Sequence, residues 1–226
     1  MAALLKPEKS GERREAERLY RLAADGGDPS ALYTLARRRE EAGEWEEAER
    51  LCRLAADAGE PSALHILARR REEAGEQQEA ERLARAAADG GNPTALGELA
   101  RMRERAGQRE EAERLYRLAA DAGSLFALED LAKMRERAGD WGEAEALVRA
   151  AVDAGSPAAL EDLAEVRQQT GEQDGAERLY RLAADAGSRF ALPGLAEMRM
   201  RTGNQAGSMH LLRFRLEADG RIADPW

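Results

Sequence analysis

A period of 32 residues runs through this chain of 226 residues and constrains its fold more than any other feature. Leucines recur at that step in three columns, one of which begins with Leu35, Leu67 and Leu99. Glycines keep the same step without an insertion: Gly11, Gly43, Gly75, Gly107, Gly139, Gly171 and Gly203. Several columns in phase across the sequence indicate that one supersecondary unit is repeated.

Each unit is predicted to contain two amphipathic helices. In the first complete unit, Leu32 and Leu35 share one face of a helix over residues 29–42. Leu51 lies on the inner face of a second helix over residues 44–57. A single hairpin cannot bury its apolar stripe alone, so neighbouring hairpins must stack.

The residues between the helices fit this prediction. Asp28 is a favourable N-cap, and Pro29 suits the first helical position. Gly43 and Gly59 follow the two helices, where a residue in the left-handed conformation often ends a helix. The capping device before the first helix recurs at two later boundaries, Asn92–Pro93 and Ser156–Pro157.

Composition supports an all-helical chain and excludes several classes of protein. Charged residues make up 35% of the chain and aromatic residues only 4%, and the net charge is -9. The acidic total argues against a dedicated nucleic-acid-binding protein, which needs a basic face. The sequence has no apolar run long enough to span a membrane, and Cys52 has no second cysteine with which to form an internal disulfide. We therefore expect a cytoplasmic protein, and the preference for arginine over lysine suggests GC-rich coding and a bacterial source.

The unit resembles the tetratricopeptide repeat. The spacing of Leu32, Leu35 and Ala36, followed by Ala48 and Pro61, is similar to the pattern of that family. Ala112-x3-Tyr116 and Ala176-x3-Tyr180 fit the second half of the pattern, and Trp45 and Trp141 occupy a position that is often aromatic in the family. The segment AADAGxPxAL is also similar to the Sel1-like subfamily.

The resemblance implies a right-handed α-solenoid of antiparallel helical hairpins, with the first helix of each hairpin lining a concave groove. Two features depart from the pattern. The period is 32 residues instead of 34. An arginine replaces the expected aromatic residue near the end of every first helix: Arg39, Arg71, Arg103, Arg135, Arg167 and Arg199. We interpret these arginines as structural, and phosphate binding by the arginine column is the alternative.

The repeat phase also defines the domain organisation. We predict an N-terminal stub over residues 1–10, one repeat domain over residues 11–219 and a C-terminal tail over residues 220–226. The domain begins with half a repeat and continues through six 32-residue units. A last helix over residues 204–218 lacks the usual Glu-Ala pair and is expected to be a polar cap.

Within the constant frame Ala-Leu-x-x-Leu-Ala, two residues of each first helix vary from unit to unit. If the resemblance holds, these residues face the groove, together with a column one turn further along. The predicted groove residues are Tyr33, Arg37, His65, Arg69, Glu98, Arg101, Glu129, Lys133, Glu161, Glu165 and Glu197. In the further column the charge changes from basic at Arg37, Arg69, Arg101 and Lys133 to acidic at Glu165 and Glu197. Such a groove would orient an extended peptide of complementary charge, although drift on a solvated surface explains the pattern almost equally well.

No catalytic constellation is recognisable in the sequence. His65 and His210 are the only histidines, and no spacing matches a zinc site. We therefore predict a non-catalytic scaffold that binds an unidentified protein or extended peptide and uses no cofactor or metal. The alternatives are a helical repeat that binds RNA or phosphate and a self-assembling structural array.

The N-terminal half repeat carries one further expectation. Leu19, Leu22 and Ala23 lie at helical spacing on a second helix that has at most a short stub before it. An apolar strip should therefore stay exposed, and we predict a weak homodimer through this end. The alternatives are that residues 1–5 cover the strip or that the natural chain is longer.

Overall fold

The computed structural model describes residues 18–201 and residue 203. Those residues form twelve helices and contain no strand. Residues 18–25 belong to α1. The other helices are α2 Pro29–Glu41, α3 Trp45–Asp57, α4 Pro61–Glu73, α5 Gln77–Asp89, α6 Thr94–Arg105, α7 Arg109–Asp121, α8 Leu125–Ala138, α9 Trp141–Asp153, α10 Ala158–Thr170, α11 Gln173–Asp185 and α12 Ala191–Arg201. The predicted last helix over residues 204–218 lies outside the described residues.

The helices pair as the repeat predicts. The hairpins α2–α3, α4–α5 and α6–α7 belong to one compact unit, which ends at Gly123. The hairpins α8–α9 and α10–α11, together with α12, belong to a second unit, which begins at Ser124. Within each unit, the first helix of a hairpin lies beside the first helix of the next, as α4 does with α6 and α8 with α10. The predicted limits at residues 11 and 219 lie outside the described residues, and the single-domain assignment stays a prediction.

The core follows the leucine columns. Every described member of the Leu35 column is buried: Leu35, Leu67, Leu99, Leu131, Leu163 and Leu195. A column on the second helices, with residues of very different size, is buried as well: Cys52, Ala84, Tyr116, Val148 and Tyr180. The constant leucines therefore maintain the stacking, while this second-helix column adjusts the volume between hairpins.

The first helices begin in two different ways. The Asp28 carboxylate accepts hydrogen bonds from the backbone N–H groups of Ser30 and Ala31 at 2.9 and 3.0 Å, so the predicted cap of α2 is confirmed. At Ser156 the prediction of the same device is wrong, because α10 begins at Ala158 and no side chain caps it. The Ser156 hydroxyl donates to the Glu129 carboxylate at 2.6 Å, across to the preceding first helix.

Gly59 shows how a second helix ends. Its φ of +92° places it in the left-handed region, which favours glycine. The backbone N–H of Gly59 donates to the Ala56 carbonyl at 3.0 Å, and that of Glu60 donates to the Ala55 carbonyl at 2.9 Å. These bonds satisfy carbonyl groups that the helix leaves free and let the chain reverse into α4.

Candidate protein-interaction surface

The arginine near the end of each first helix is part of the scaffold. In the compact unit that ends at Gly123, Arg103 on α6 donates from Nε and Nη2 to the two carboxylate oxygens of Glu72 on α4, at 2.8 and 3.0 Å. In the compact unit that begins at Ser124, Arg167 on α10 binds Glu136 on α8 in the same way, at 2.8 and 3.2 Å. These four side chains are almost fully buried. The structural interpretation of this column is therefore confirmed for the two arginines that form these pairs.

The outer face of the second helices carries a regular set of ion pairs. Glu47 and Arg50 on α3 and Glu79 and Arg82 on α5 pair three residues apart on their own helix. Each second helix from α3 to α11 also has an ion pair four residues apart: Glu49–Arg53, Glu81–Arg85, Glu113–Arg117, Glu145–Arg149 and Glu177–Arg181. This face repeats the same chemistry from hairpin to hairpin and leaves little that could distinguish one partner from another.

The predicted groove residues lie on the first helices, and all of them are at least partly exposed. We call the outward residues of α2, α4 and α6 in one unit, and of α8, α10 and α12 in the other, the first-helix face. Four predicted residues are exposed: Arg37, Arg101, Glu165 and Glu197. The other seven are half-buried: Tyr33, His65, Arg69, Glu98, Glu129, Lys133 and Glu161.

Most of the predicted basic column is paired with carboxylates. Arg37 lies 3.6 Å from Glu41 on its own helix. Arg69 on α4 binds Glu40 on α2, and Lys133 on α8 binds Asp162 on α10. The Arg69 and Lys133 pairs link neighbouring first helices within their units, and all three pairs reduce the free positive charge available to a ligand.

His65 and Glu98 form a further link between first helices. The His65 ring, on α4, is hydrogen-bonded to the Glu98 carboxylate on α6. This bond is the main reason why the pKa of Glu98 lies below its ordinary value, and the charge of Arg101 lowers the pKa further. The two variable positions therefore contact each other across the repeat boundary.

In the compact unit that begins at Ser124, the first-helix face contains a cleft of about 210 Å³. Glu165 on α10 and Glu197 on α12, both predicted from the sequence, line it together with Tyr180 on α11. The remaining lining residues are Gln168, Gln169, Gly194 and Arg201. Tyr180 was missed as a site residue because its position matches the buried aromatic residue of the repeat pattern. The sequence signal for the cleft is Gly194, the only glycine in its column of the described first helices.

Tyr180 forms the base of this cleft. Its side chain is only 4% exposed, and its ring fills the space that a Cβ atom at Gly194 would need, 2.6 Å from the Tyr180 Cε1 atom. Burial raises the pKa of Tyr180 to about 12, and the negative charges of Glu165, Glu161 and Glu197 contribute to the increase. The phenol therefore lies in a region of negative potential.

Comparison with known proteins supports the fold. The family model of the tetratricopeptide repeat matches residues 95–123, which cover α6 and α7. A protective antigen of uropathogenic Escherichia coli strains with an SLR fold is similar over 82% of this chain and 44% of its own, at 23% identity and a TM-score of 0.53. A Sel1 repeat protein from Oxalobacter formigenes is similar over 86% of this chain and 63% of its own, at 24% identity and a TM-score of 0.50. The chain therefore has the helical-repeat fold that tetratricopeptide and Sel1-like proteins share.

The aligned part of this repeat protein spans less than two thirds of either of those two chains. The structure of PilF from Pseudomonas aeruginosa is also similar, over 82% of this chain and 90% of its own, at 18% identity and a TM-score of 0.50. No curated protein matches the sequence. These likenesses establish the fold of the repeat protein and say nothing of its partner.

The described residues of the repeat protein contain no group of His, Cys, Asp and Glu side chains that could hold a metal ion. Burial raises the pKa of the Cys52 thiol to about 12, so this cysteine stays protonated and packs as an apolar residue. None of the helices in the described part is long and apolar enough to cross a membrane. The partly exposed, variable chemistry of this chain is concentrated on the first-helix face.

Proposed function

We propose that this protein is a non-catalytic scaffold whose first-helix face binds a segment of another protein. One observation carries the proposal: the exposed residues of the first helices differ from repeat to repeat, whereas those of the second helices repeat the same ion pairs. Helical-repeat proteins of this type typically serve as scaffolds for protein interaction. A surface that varies over a constant frame can present a different contact to each part of an extended ligand.

Binding of RNA is the weaker alternative. It depended on Arg37, Arg69, Arg101 and Lys133, and at least three of these side chains pair with carboxylates of this chain. Counterion release from a nucleic acid requires basic groups that are available to phosphates. The absence of salt-dependent binding to single-stranded RNA would dismiss this alternative.

The proposal can be tested with peptides selected from a displayed random library on the full chain. A variant with Tyr33→Ser and Arg37→Gln changes the first-helix face at α2, where both side chains are accessible. We expect this variant to lower the affinity of the selected peptides that bind the compact unit ending at Gly123 by about tenfold or more.

A matched variant changes the second helices instead. Arg50→Gln and Arg82→Gln alter exposed side chains that pair only with carboxylates of their own helices in the described structure. We expect this variant to change affinity by less than about twofold. Selected peptides that bind through the second helices would contradict the proposal.

Weak self-association is a separate prediction. Leu19 and Leu22 are 58% and 59% exposed on α1, as the sequence predicts. We propose that a second copy covers this apolar strip at high concentration. Light scattering on the intact chain and on a variant with Leu19→Lys and Leu22→Lys tests it, and a monomeric mass for the intact chain at high concentration would rule the dimer out.

A further inference from the structure

We infer that the cleft between α10, α11 and α12 is a subsite for a cationic side chain, preferentially arginine, of a partner peptide. This inference rests on the proposed function, because the cleft is part of the first-helix face. It assigns a ligand chemistry to one place on that face. Three independent observations support it: the shape of the cleft, its charge and the state of the Tyr180 hydroxyl.

The shape of the cleft depends on Gly194. In the preceding repeat of the same unit, the corresponding residue is Asp162, whose carboxylate binds Lys133. At Gly194 no side chain fills this place, and the Tyr180 ring occupies it instead. The cleft that remains measures about 210 Å³, whereas about 10–15 Å³ on the same measure holds one water molecule. It therefore has room for the end of a long side chain.

The charge of the cleft favours a cation. Glu165 and Glu197 are exposed, and neither forms an ion pair with a described residue of this chain. The preceding members of their column, Arg101 and Lys133, are basic, so the acidic pair is confined to this part of the face. Arg201 contributes the single positive charge in the lining. The cleft thus keeps a net negative charge that nothing in the described structure neutralises.

The hydroxyl of Tyr180 is the observation that indicates a ligand. Tyr116 occupies the same position two repeats earlier, and its hydroxyl donates to the Glu104 carboxylate at 3.0 Å. Gln168 replaces that glutamate in the repeat of Tyr180, and the Tyr180 hydroxyl forms no hydrogen bond with any described residue. The Tyr180 ring is buried, but Tyr180 also lines the cleft, so its hydroxyl is open to a partner from outside the chain. A donor that enters the cleft would supply that partner.

Arginine fits this arrangement better than lysine or a metal ion. Its planar guanidinium carries five N–H donors for the acceptors that line the cleft, namely two carboxylates, the phenol oxygen and the side-chain carbonyl group of Gln168. An ammonium group has only three donors. A divalent metal is disfavoured because the described residues offer no group of three His, Cys, Asp or Glu ligands.

The test uses the full chain and three capped tetrapeptides with two central arginine, lysine or citrulline residues. Citrulline preserves the shape of arginine but removes its charge. Binding is followed by NMR through the Gly194 amide and the side-chain amides of Gln168 and Gln169. We expect saturable shifts with the arginine peptide, an affinity several-fold lower with the lysine peptide and no saturation with citrulline. Saturation with citrulline, or none with arginine, would overturn the inference.

Three variants test the assignment to residues. Glu165→Gln combined with Glu197→Gln should lower the affinity for the arginine peptide by about tenfold or more. Tyr180→Phe should lower it by about a few fold, because this variant removes only one acceptor. The control is Asp153→Asn with Asp185→Asn, which makes the same change in net charge at exposed carboxylates outside the cleft. Equal weakening by the control would show a nonspecific charge effect and overturn the inference.

The two proposals fail in different ways. If the selected peptides lose affinity for the Tyr33→Ser and Arg37→Gln variant, but the arginine tetrapeptide does not bind the cleft, the scaffold function stands and the subsite is wrong. If the selected peptides bind through the second helices while the tetrapeptide still depends on Glu165 and Glu197, the scaffold assignment is wrong and the subsite stands.

Discussion

The first and second helices of the hairpins use the same residue types for different purposes. On the first helices, an arginine reaches the neighbouring repeat and is buried, as Arg103 is with Glu72, whose side chains are 4% and 7% exposed. On the second helices, an arginine reaches a carboxylate on its own helix, as Arg82 does with Glu79, whose side chains are 67% and 41% exposed. Location in the fold therefore decides what an ion pair contributes.

This difference also separates the scaffold from the surface available to a ligand. The buried pairs of the first helices hold neighbouring hairpins in register, so the residues on the exposed side of the same helices are free to vary. The second helices satisfy their own charges within one or two turns. Substitutions on the two sets of helices should therefore differ strongly in their effect.

The largest difference is expected at the buried pair. Arg103→Met should lower the free energy of unfolding by about 3–5 kcal/mol, because it leaves the Glu72 carboxylate buried without its partner. Arg82→Met, at the exposed pair on α5, should leave the free energy of unfolding almost unchanged, because an exposed pair is screened by solvent. Urea unfolding followed by circular dichroism measures both.

A double variant sharpens this test. Arg103→Met combined with Glu72→Leu removes both buried charges, so most of the lost stability should return. Equal losses from Arg103→Met and Arg82→Met would contradict the distinction between the two sets of helices.

The second prediction concerns apolar side chains. Leu99 on α6 is 1% exposed, and Leu99→Ala should cost about 2–5 kcal/mol through lost contacts and the cavity that remains. Leu54 on α3 is 43% exposed, so Leu54→Ala should cost less than about 1 kcal/mol. A loss near zero at Leu99 would show that the constant leucine column is not the core.

The sequence was sufficient to predict the repeat architecture because the fold depends on columns. The hairpins, the buried Leu35 column and the left-handed conformation of Gly59 all follow from spacing and from backbone conformation. The hydrogen bond of the Ser156 side chain was predicted less well, because a hydroxyl can cap a helix or reach a carboxylate on another helix. Only tertiary contacts decide between these bonds.

The candidate site was predicted only in part, for a similar reason. Glu165 and Glu197 were recognised because the column one turn beyond the constant frame changes there from basic to acidic. The pairing of Arg69 with Glu40 and the cleft above Tyr180 depend on residues about 30 positions apart or on three different helices. Neither can be read from one helical face alone.

The third prediction concerns an ion pair that joins two second helices, in contrast to the pairs that lie within one helix. Glu81 on α5 accepts hydrogen bonds from Arg114 on α7 at 2.6 and 2.7 Å, and this interaction lowers the pKa of Glu81 to about 2. A carboxyl group with a lowered pKa stabilises the fold above its ordinary pKa of 4.5, and this contribution is lost as the pH falls towards 2. Stability that depends on Glu81 should therefore decrease between about pH 5 and about pH 3.

Unfolding measurements on Glu81→Gln at these two pH values check the prediction. The variant should lose about 1 kcal/mol less than the unmodified chain over this range. Glu165→Gln, an exposed change in the middle of α10 at a carboxylate without an ion pair to a described residue, should follow the unmodified chain. An identical pH dependence for Glu81→Gln and the unmodified chain would show that the bond between the two second helices adds no stability.

The smallest expected effect lies at the helix ends. The first helices α2, α4, α6 and α8 have arginines in their last turns, whereas the second helices α3, α5, α7, α9 and α11 end in an aspartate. A negative charge at a helix C-terminus is unfavourable, because the carbonyl groups there carry partial negative charge. No arginine compensates for this charge in the described structure: Asp57, Asp89, Asp121, Asp153 and Asp185 are exposed and form no ion pair with a described residue.

Asp57→Asn should therefore raise the stability of the fold by about 0.3–1 kcal/mol. Glu46→Gln, in the first turn of the same helix, removes a negative charge where it is favourable and should lower stability by a similar amount. Both effects should shrink at high salt, since exposed charges are screened. If Asp57→Asn destabilises the chain instead, the aspartate has a structural role at the turn, and its recurrence in every second helix has a cause other than the dipole.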